Sequence, residues 1–542
     1  MSIKGENRIF IIGLDGACFD VINPLIESGV LPNIQRIFAR SAKAELKSTI
    51  PPVSAPAWVA IATGQKADKT GAYDFLNLRK NRSGKYYFVP VSSANFIGKS
   101  LWDLLSLSDK KVCVFNYPML YPPYEINGVM VSGLGTSEKE NITFPDSLKE
   151  EIFRIAHDYR VAIPFNSSKY LNNEKLFIKE LFNLIEQRQK VLKYLLEKEN
   201  WDLFFVVFSA IEIAQHYLWK HWDDNHRGHK PESETYKNEF IEVWRRLDAI
   251  LGELLNFVKD NDYLFIISDH GHGPQQGLFY VNSWLEKENF LKMKRSTLGK
   301  LISFVIKAVK LADKRLGLQL TVSIEHKFRR IALNRDFLGK IDLDETVAFA
   351  GKYSDVAAGI HILPHQNPRE REIILQRIIS RLQNFCQRLS LDLDLHCNEK
   401  PNNGAQEGYL PDLVFSINNY SCRMDTTIAR RKCVYYPDYY PPNKSGTHRQ
   451  YGIMCAMGPD IDIDSTFNAE VFDIAPTVLS LFNYSVPDQM DGKVLPLFKG
   501  QSAAQQTQRP ANRVAYGIGK DIELDQQHRR AVEKRLKELG YL

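Results

Sequence analysis

The residues best suited to chemistry fall where apolar runs stop. Tyr263 to Pro274 reads YLFIISDHGHGP, a short apolar run that ends abruptly at Asp269 and His270. A carboxylate beside an imidazole at a strand end is suited to hold a ligand, and Gly271 and Gly273 let the backbone turn there without crowding it. RIFIIGLDG, residues 8–16, repeats the pattern with Asp15 followed by Gly16. DLFFVVF, residues 202–208, repeats it again and leads into SAIEIAQHYLW, where Glu212 and His216 stand four apart and share a face if the segment is helical. One such pair is ordinary turn chemistry; its recurrence at the ends of separate apolar runs points to a shared site. Ser54, in STIPPVSAPAWVAIATGQ, precedes a helix-like run with Pro56 in its first turn, and reads as an N-cap. A hydroxyl at a helix N-terminus also suits a nucleophile, because the dipole and exposed N–H groups favour an alkoxide and an incoming phosphoryl group. His448 lies in the Pro- and Tyr-rich stretch YYPDYYPPNKSGTHRQ, ahead of the strand-like YGIMCAMGP, so only tertiary folding brings it to the others. Asn116 closes KVCVFN and is placed either to donate to a bound oxyanion or to stabilise its loop. Trp58, four residues after Ser54, starts a buried face and offers an aromatic surface near a substrate substituent.

These residues need strands to deliver them. Uninterrupted apolar runs are strands covered on both faces, and in open α/β sheets chemistry collects beyond the strand ends. The runs at 8–15, 112–116, 129–133, 202–208, 263–267 and 451–459 alternate with helical patterns at Val21–Arg40 (restarting at Pro32), 100–107, 174–200, 240–259 and 470–482. The fold class is therefore α/β with a mostly parallel central sheet. From 279 to about 347 the rhythm is lost. STLGKLISFVIKAVKLADKRLG there is a basic amphipathic helix, read as a cap or packing helix rather than an oligomer contact or membrane-surface element because it has few Trp or Phe anchors. The expected division is a catalytic domain of 1–278 and 346–500, a helical insertion of 279–345, and a helical tail of 501–542.

Composition bounds the function classes. With 44% hydrophobic and 25% charged residues over 542 positions, the chain reads as a soluble globular protein with a sizeable core. No apolar stretch reaches membrane-spanning length, and the N-terminal apolar run is too short for a secretory h-region, so a cytoplasmic location is expected. The 7 cysteines are odd in number and lack C-x-x-C spacing, which argues against a disulfide framework and a thiolate metal site. A net charge of +6 is mild for this length and does not imply nucleic-acid binding.

Taken in order, FIIGLDG, PPVSAPAWVAIATG, the E-x-x-x-H, SDHGHGP, GTHRQYG and FDIAPTVLSLFNYSVPDQMDG resemble the alkaline phosphatase superfamily in its branch of type I phosphodiesterases and nucleotide pyrophosphatases. The resemblance implies a three-layer α/β sandwich and two divalent metals, zinc or else manganese, bridged by a nucleophile. It assigns Asp15, Ser54, Asp269 and His270 to one metal and Glu212, His216 and His448 to the other. It also implies a phosphoryl-serine intermediate at Ser54 and a small-molecule phosphodiester or nucleotide pyrophosphate substrate. Two positions depart from the family pattern: Glu212 stands where Asp is usual, and Ser54 where the nearest branch has Thr. The S-A-P-A-W run is also similar to the sulfatase signature, but Trp58 occupies its arginine position, which argues against a formylglycine sulfatase. The competing enzymatic readings are a phosphomutase or phosphotransferase and a phosphomonoesterase. A non-catalytic binding protein is disfavoured by the complete ligand set.

Overall fold

A computed structural model of the chain describes residues 7–80, 86–164, 167–170, 173–294, 341–342, 344–351, 354–363, 367–397, 410–428, 434–437, 444–499 and 526–539. The basic segment 296–317 and the positions 500–525 lie outside the described residues.

The chain forms two units, residues 1–277 with 419–422 and 438–542, and residues 278–418 with 423–437. The first is built on a nine-stranded sheet. In chain order its strands are β1 (Ile9–Leu14), β2 (Ala42–Lys47), β3 (Val112–Tyr117), β4 (Gly128–Ser132), β5 (Thr143–Phe144), β6 (Leu203–Phe208), β7 (Tyr263–Ile267), β10 (Tyr451–Met457) and β11 (Ala469–Glu470), while β8 (Gly271–Pro274) and β9 (Gly446–Arg449) form a separate antiparallel pair. Across the sheet the order is β11-β2-β10-β7-β1-β6-β3-β4-β5. The central run β7, β1, β6, β3, β4 is parallel, with β10 antiparallel to β7 and β5 antiparallel to β4.

Every residue of β1, β3, β6 and β7 is buried, as their unbroken apolar sequences require. Alternate residues face opposite cores. Phe10, Ile12, Leu14, Phe204, Val206 and Phe208 pack under α2 (Glu174–Lys198), α3 (Ala210–Trp222) and α4 (Ser233–Leu255). Ile9, Ile11, Leu203, Phe205 and Val207 pack under α1 (Ser54–Thr63) and the helix Ile474–Leu481. The result is the expected three-layer α/β sandwich. The tail helix Gln526–Leu539 joins this second core through Val532, Leu536 and Leu539, and its Arg535 donates to the carbonyls of Thr136 and Ala162, both at 3.0 Å.

In the second unit the strands Ala358–Ile362 and Leu413–Ile417 pair with each other in a four-stranded antiparallel sheet that also contains Ala348–Gly351 and Leu393–Cys397. Helix Pro368–Arg388 buries Ile374, Ile378, Leu382 and Cys386 along one stripe. No helix among the described residues is long and apolar enough to cross a membrane.

Candidate active site

Sheet register brings the acids together. Gly13 of β1 lies opposite Ile267 of β7, so Asp15 and Asp269, each two residues further on, emerge side by side at the carboxyl edge. β6 is in register with β1 through Leu14 and Phe208, and α3 begins two residues later, which sets Glu212 and His216 on its first two turns at the same edge. Gly16 turns the chain with φ +71, the left-handed region that glycine tolerates. Its N–H donates to Asp269 Oδ1 at 3.1 Å, and its carbonyl accepts from Gln215 Nε2 at 2.7 Å, tying the turn to α3. His448 arrives on β9, paired with β8 so that it faces His272.

Ser54 departs from the sequence reading in one respect. Val53 is the N-cap and Ser54 the first residue of α1, with no capping bond from its side chain. Its hydroxyl is therefore free for the site, with Oγ 3.1 Å from His270 Nε2 and 3.4 Å from Glu212 Oε1.

The imidazoles are oriented by backbone. Nδ1 of His216 donates to Gly446 O at 2.8 Å, Nδ1 of His270 to Gly271 O at 2.9 Å, and Nδ1 of His448 to Pro52 O at 2.8 Å. A carbonyl partner fixes the proton on Nδ1, so each Nε2 presents a lone pair. Those lone pairs converge: His216 Nε2 and His448 Nε2 are 3.1 Å apart, and Glu212 Oε1 is 3.3 Å from the first and 3.2 Å from the second. On the other side His270 Nε2 lies 3.2 Å from Asp269 Oδ2 and 3.8 Å from Asp15 Oδ1. Two acceptors facing at hydrogen-bond distance repel unless a cation lies between them.

Electrostatics point the same way. Burial pushes Asp15 well above the usual carboxylate range, and Asp269 and Glu212 add to it. Asp269 is raised by burial too, against the pull of His270. Burial acts to raise Glu212, but the adjacent His216 and His448 outweigh it and hold it well below the ordinary value. Burial lowers His216 and His270 and takes His448 down to about 4, keeping the imidazoles neutral. Both oxygens of Asp15, Oε2 of Glu212 and Oδ2 of Asp269 are buried without a hydrogen-bond donor among the described residues. Such orphaned anionic oxygens cost several kcal/mol in a protein interior unless paired. The groups Asp15–Asp269–His270 and Glu212–His270–His448 each place their ligand atoms within 4.8 Å of one another, which fits divalent cations bound by oxygen and nitrogen.

Two expected substrate contacts are placed elsewhere. Trp58 is fully buried, its ring edge-on to Tyr117 at 5.5 Å and Phe205 at 6.5 Å, so it supports α1 from the core and offers no face to a substrate. Asn116 spends its amide on the Val207 carbonyl at 2.6 Å, the loop-stabilising role. Trp58 also closes over β1: a Cβ on Gly13 would lie 2.5 Å from its Cη2. Gly13→Ala is therefore expected to destabilise the fold by about 1–3 kcal/mol through overpacking, and urea unfolding checks it. Wild-type stability would mean that Trp58 gives way, contrary to its packing.

His272 was not singled out from sequence. It is buried against the site, edge-on to His216 at 4.5 Å between ring centroids, and burial followed by the neighbouring imidazoles pushes it well below the ordinary histidine range. Its signal was the H-G-H alternation, since residues two apart in a strand share a face.

The family model for type I phosphodiesterase/nucleotide pyrophosphatase matches residues 9–367. Among solved structures, murine ectonucleotide pyrophosphatase/phosphodiesterase 5, in an inactive form with AMP, is 11% identical, with 89% of this chain and 96% of that chain covered and a TM-score of 0.44. Phosphonoacetate hydrolase from Sinorhizobium meliloti 1021 with phosphonoformate is 14% identical, with 87% and 94% covered and a TM-score of 0.47. The human ectonucleotide pyrophosphatase/phosphodiesterase 5 is 11% identical, with 90% and 100% covered and a TM-score of 0.45. No curated protein matches.

Proposed function

The chain belongs to the type I phosphodiesterase/nucleotide pyrophosphatase family, and from that membership we propose that it cleaves phosphodiester or nucleotide pyrophosphate bonds through a phosphoseryl intermediate at Ser54 on a two-metal site. The observation that carries this reading is that Ser54 Oγ stands between His270 Nε2 and Glu212 Oε1, within a buried cluster where the lone pairs of His216 and His448 face each other and carboxylate oxygens lack donors. Asp15, Asp269 and His270 would hold one ion and Glu212, His216 and His448 the other, with Ser54 between them. The donor set, free of thiolate, favours zinc, with manganese second. Bound divalent ions supply positive charge to the phosphoryl oxygens and lower the pKa of a ligated hydroxyl.

The chain's own groups then divide the work. The backbone tethers keep each Nε2 unprotonated, and Ser54 Oγ, its proton released to solvent, attacks phosphorus in line, forming the Ser–O–P bond as the P–O bond breaks and the leaving group departs with the electron pair and takes a proton from water. Water subsequently cleaves the phosphoserine and restores the hydroxyl. Among the described residues the free thiols of Cys18, Cys113, Cys386, Cys397 and Cys455 favour a reducing compartment such as the cytoplasm.

The substrate class follows from charge. Val53, Ala55, Pro56 and Ala57, the neighbours of Ser54 in sequence, are apolar and bring no positive charge, and the guanidinium of Arg449 is committed to the carbonyls of His448 at 2.8 Å and Pro274 at 2.6 Å. A monoester brings one more negative charge than a diester, and these groups offer that charge little. The kcat/KM for a nitrophenyl ester of thymidine monophosphate is expected to exceed that for nitrophenyl phosphate by about 10-fold or more under equal metal loading, a difference of about 1.4 kcal/mol. The reverse preference would replace the diesterase reading by a monoesterase one and direct attention to Lys444, whose charge helps lower His216 and His448.

A further inference from the structure

We infer that His226, outside the ligand set, is a positioning residue for the metal site that contains Glu212, His216 and His448, an inference that rests on the proposed two-metal reading. His226 is 4% exposed and lies in the loop NHRGHK that follows α3. Its Nδ1 accepts the Gly228 N–H at 2.9 Å, which leaves the proton on Nε2, and Nε2 donates to the Ser445 carbonyl at 3.2 Å. Ser445 in turn straddles one turn of α3. Its N–H donates to His216 O at 2.7 Å, and its hydroxyl accepts from the Lys220 N–H and donates to Tyr217 O, both at 3.1 Å.

The next residue is Gly446, whose carbonyl takes the His216 Nδ1 proton. It must lie flush on the helix, because a Cβ there would stand 2.3 Å from Gln215 O. Gly446 also opens β9, which carries His448 two residues later. The donor from His226 therefore fixes one short segment that orients His216 through a carbonyl and His448 through its strand. A shift of Ser445 would rotate both lone pairs away from Glu212 together. Outer groups that orient ligands typically contribute 10–100-fold to metal affinity.

The test compares two amide replacements in the full-length protein. In His226→Gln the amide nitrogen takes the Nε2 position and keeps the donor to Ser445 O; in His226→Asn the shorter side chain keeps the contact to Gly228 and loses that donor. Zinc affinity at each site is read by competition titration, and geometry by the visible spectrum of the cobalt(II)-loaded protein. His226→Asn is expected to weaken one of two binding events by about 10–100-fold and alter the cobalt spectrum, while His226→Gln stays near wild type. His226→Asn with wild-type affinity and spectrum, or His226→Gln falling as far as His226→Asn, overturns the positioning role and leaves the two-metal reading standing. Wild-type protein that binds neither zinc nor cobalt overturns both.

Discussion

Ser54→Ala is expected to lower kcat/KM by about 10⁴-fold or more while the protein folds and holds its metals as before. The two halves of this result have separate causes. Turnover is lost because Oγ is the atom placed between His270 Nε2 and Glu212 Oε1. Stability is kept because Val53, not Ser54, occupies the N-cap, so the loss of about 0.5–2 kcal/mol that follows removal of a capping side chain does not apply. Alanine also fits a position whose neighbours, Ala55 and Ala57, are themselves small and buried. Thermal unfolding, elemental analysis and turnover on one preparation measure both halves, and a phosphorylated peptide containing Ser54 trapped at acid pH is the positive control. Substantial turnover in Ser54→Ala would falsify the nucleophile, and a large folding defect would restore the structural reading of the hydroxyl.

The side chains that gather at the candidate site were legible in sequence because strand ends repeat one sign: an apolar run that stops at an acid or at a helix start. Register does the rest, since β1, β6 and β7 are parallel neighbours and their ends coincide. His448 was legible only through family resemblance, because its strand contributes nothing periodic to the carboxyl edge. The carbonyls of Pro52, Gly271 and Gly446 that set the tautomers leave no trace in residue type. Trp58 shows the opposite failure. Its proximity to Ser54 in sequence suggested a substrate face, yet its position one helical turn on points it at Gly13 and the core. The strands near 360 and 415 carry short apolar runs, but their pairing with each other is not legible in sequence, because strand pairing depends on contacts that a local pattern does not encode.

Removal of divalent cations is expected to abolish hydrolysis, by about 10³-fold or more, and to lower thermal stability, with zinc or manganese restoring both. Asp15, Glu212 and Asp269 are all fully buried within one cluster, and no lysine or arginine ion pair reaches any of them among the described residues. Three like charges in that setting oppose folding unless they are neutralised. The pH dependence follows from the directions of the shifts. Asp15 and Asp269 are raised in the folded protein, so without metal their favourable contribution is full below the unfolded carboxylate value near 4 and is lost as pH climbs through the raised value. His448 is depressed to about 4, so below about 6.5 protons favour the unfolded chain and compete with a cation for Nε2. Both effects make the stabilisation by metal grow from pH 5 to pH 7.5. At 100 times Kd that stabilisation is about 2.7 kcal/mol per site. Melting temperatures with and without zinc at the two pH values, alongside turnover after exhaustive chelation checked by elemental analysis, measure it. Full turnover in metal-free protein, or a larger zinc shift at pH 5 than at pH 7.5, would show that these carboxylates are satisfied by something other than a cation.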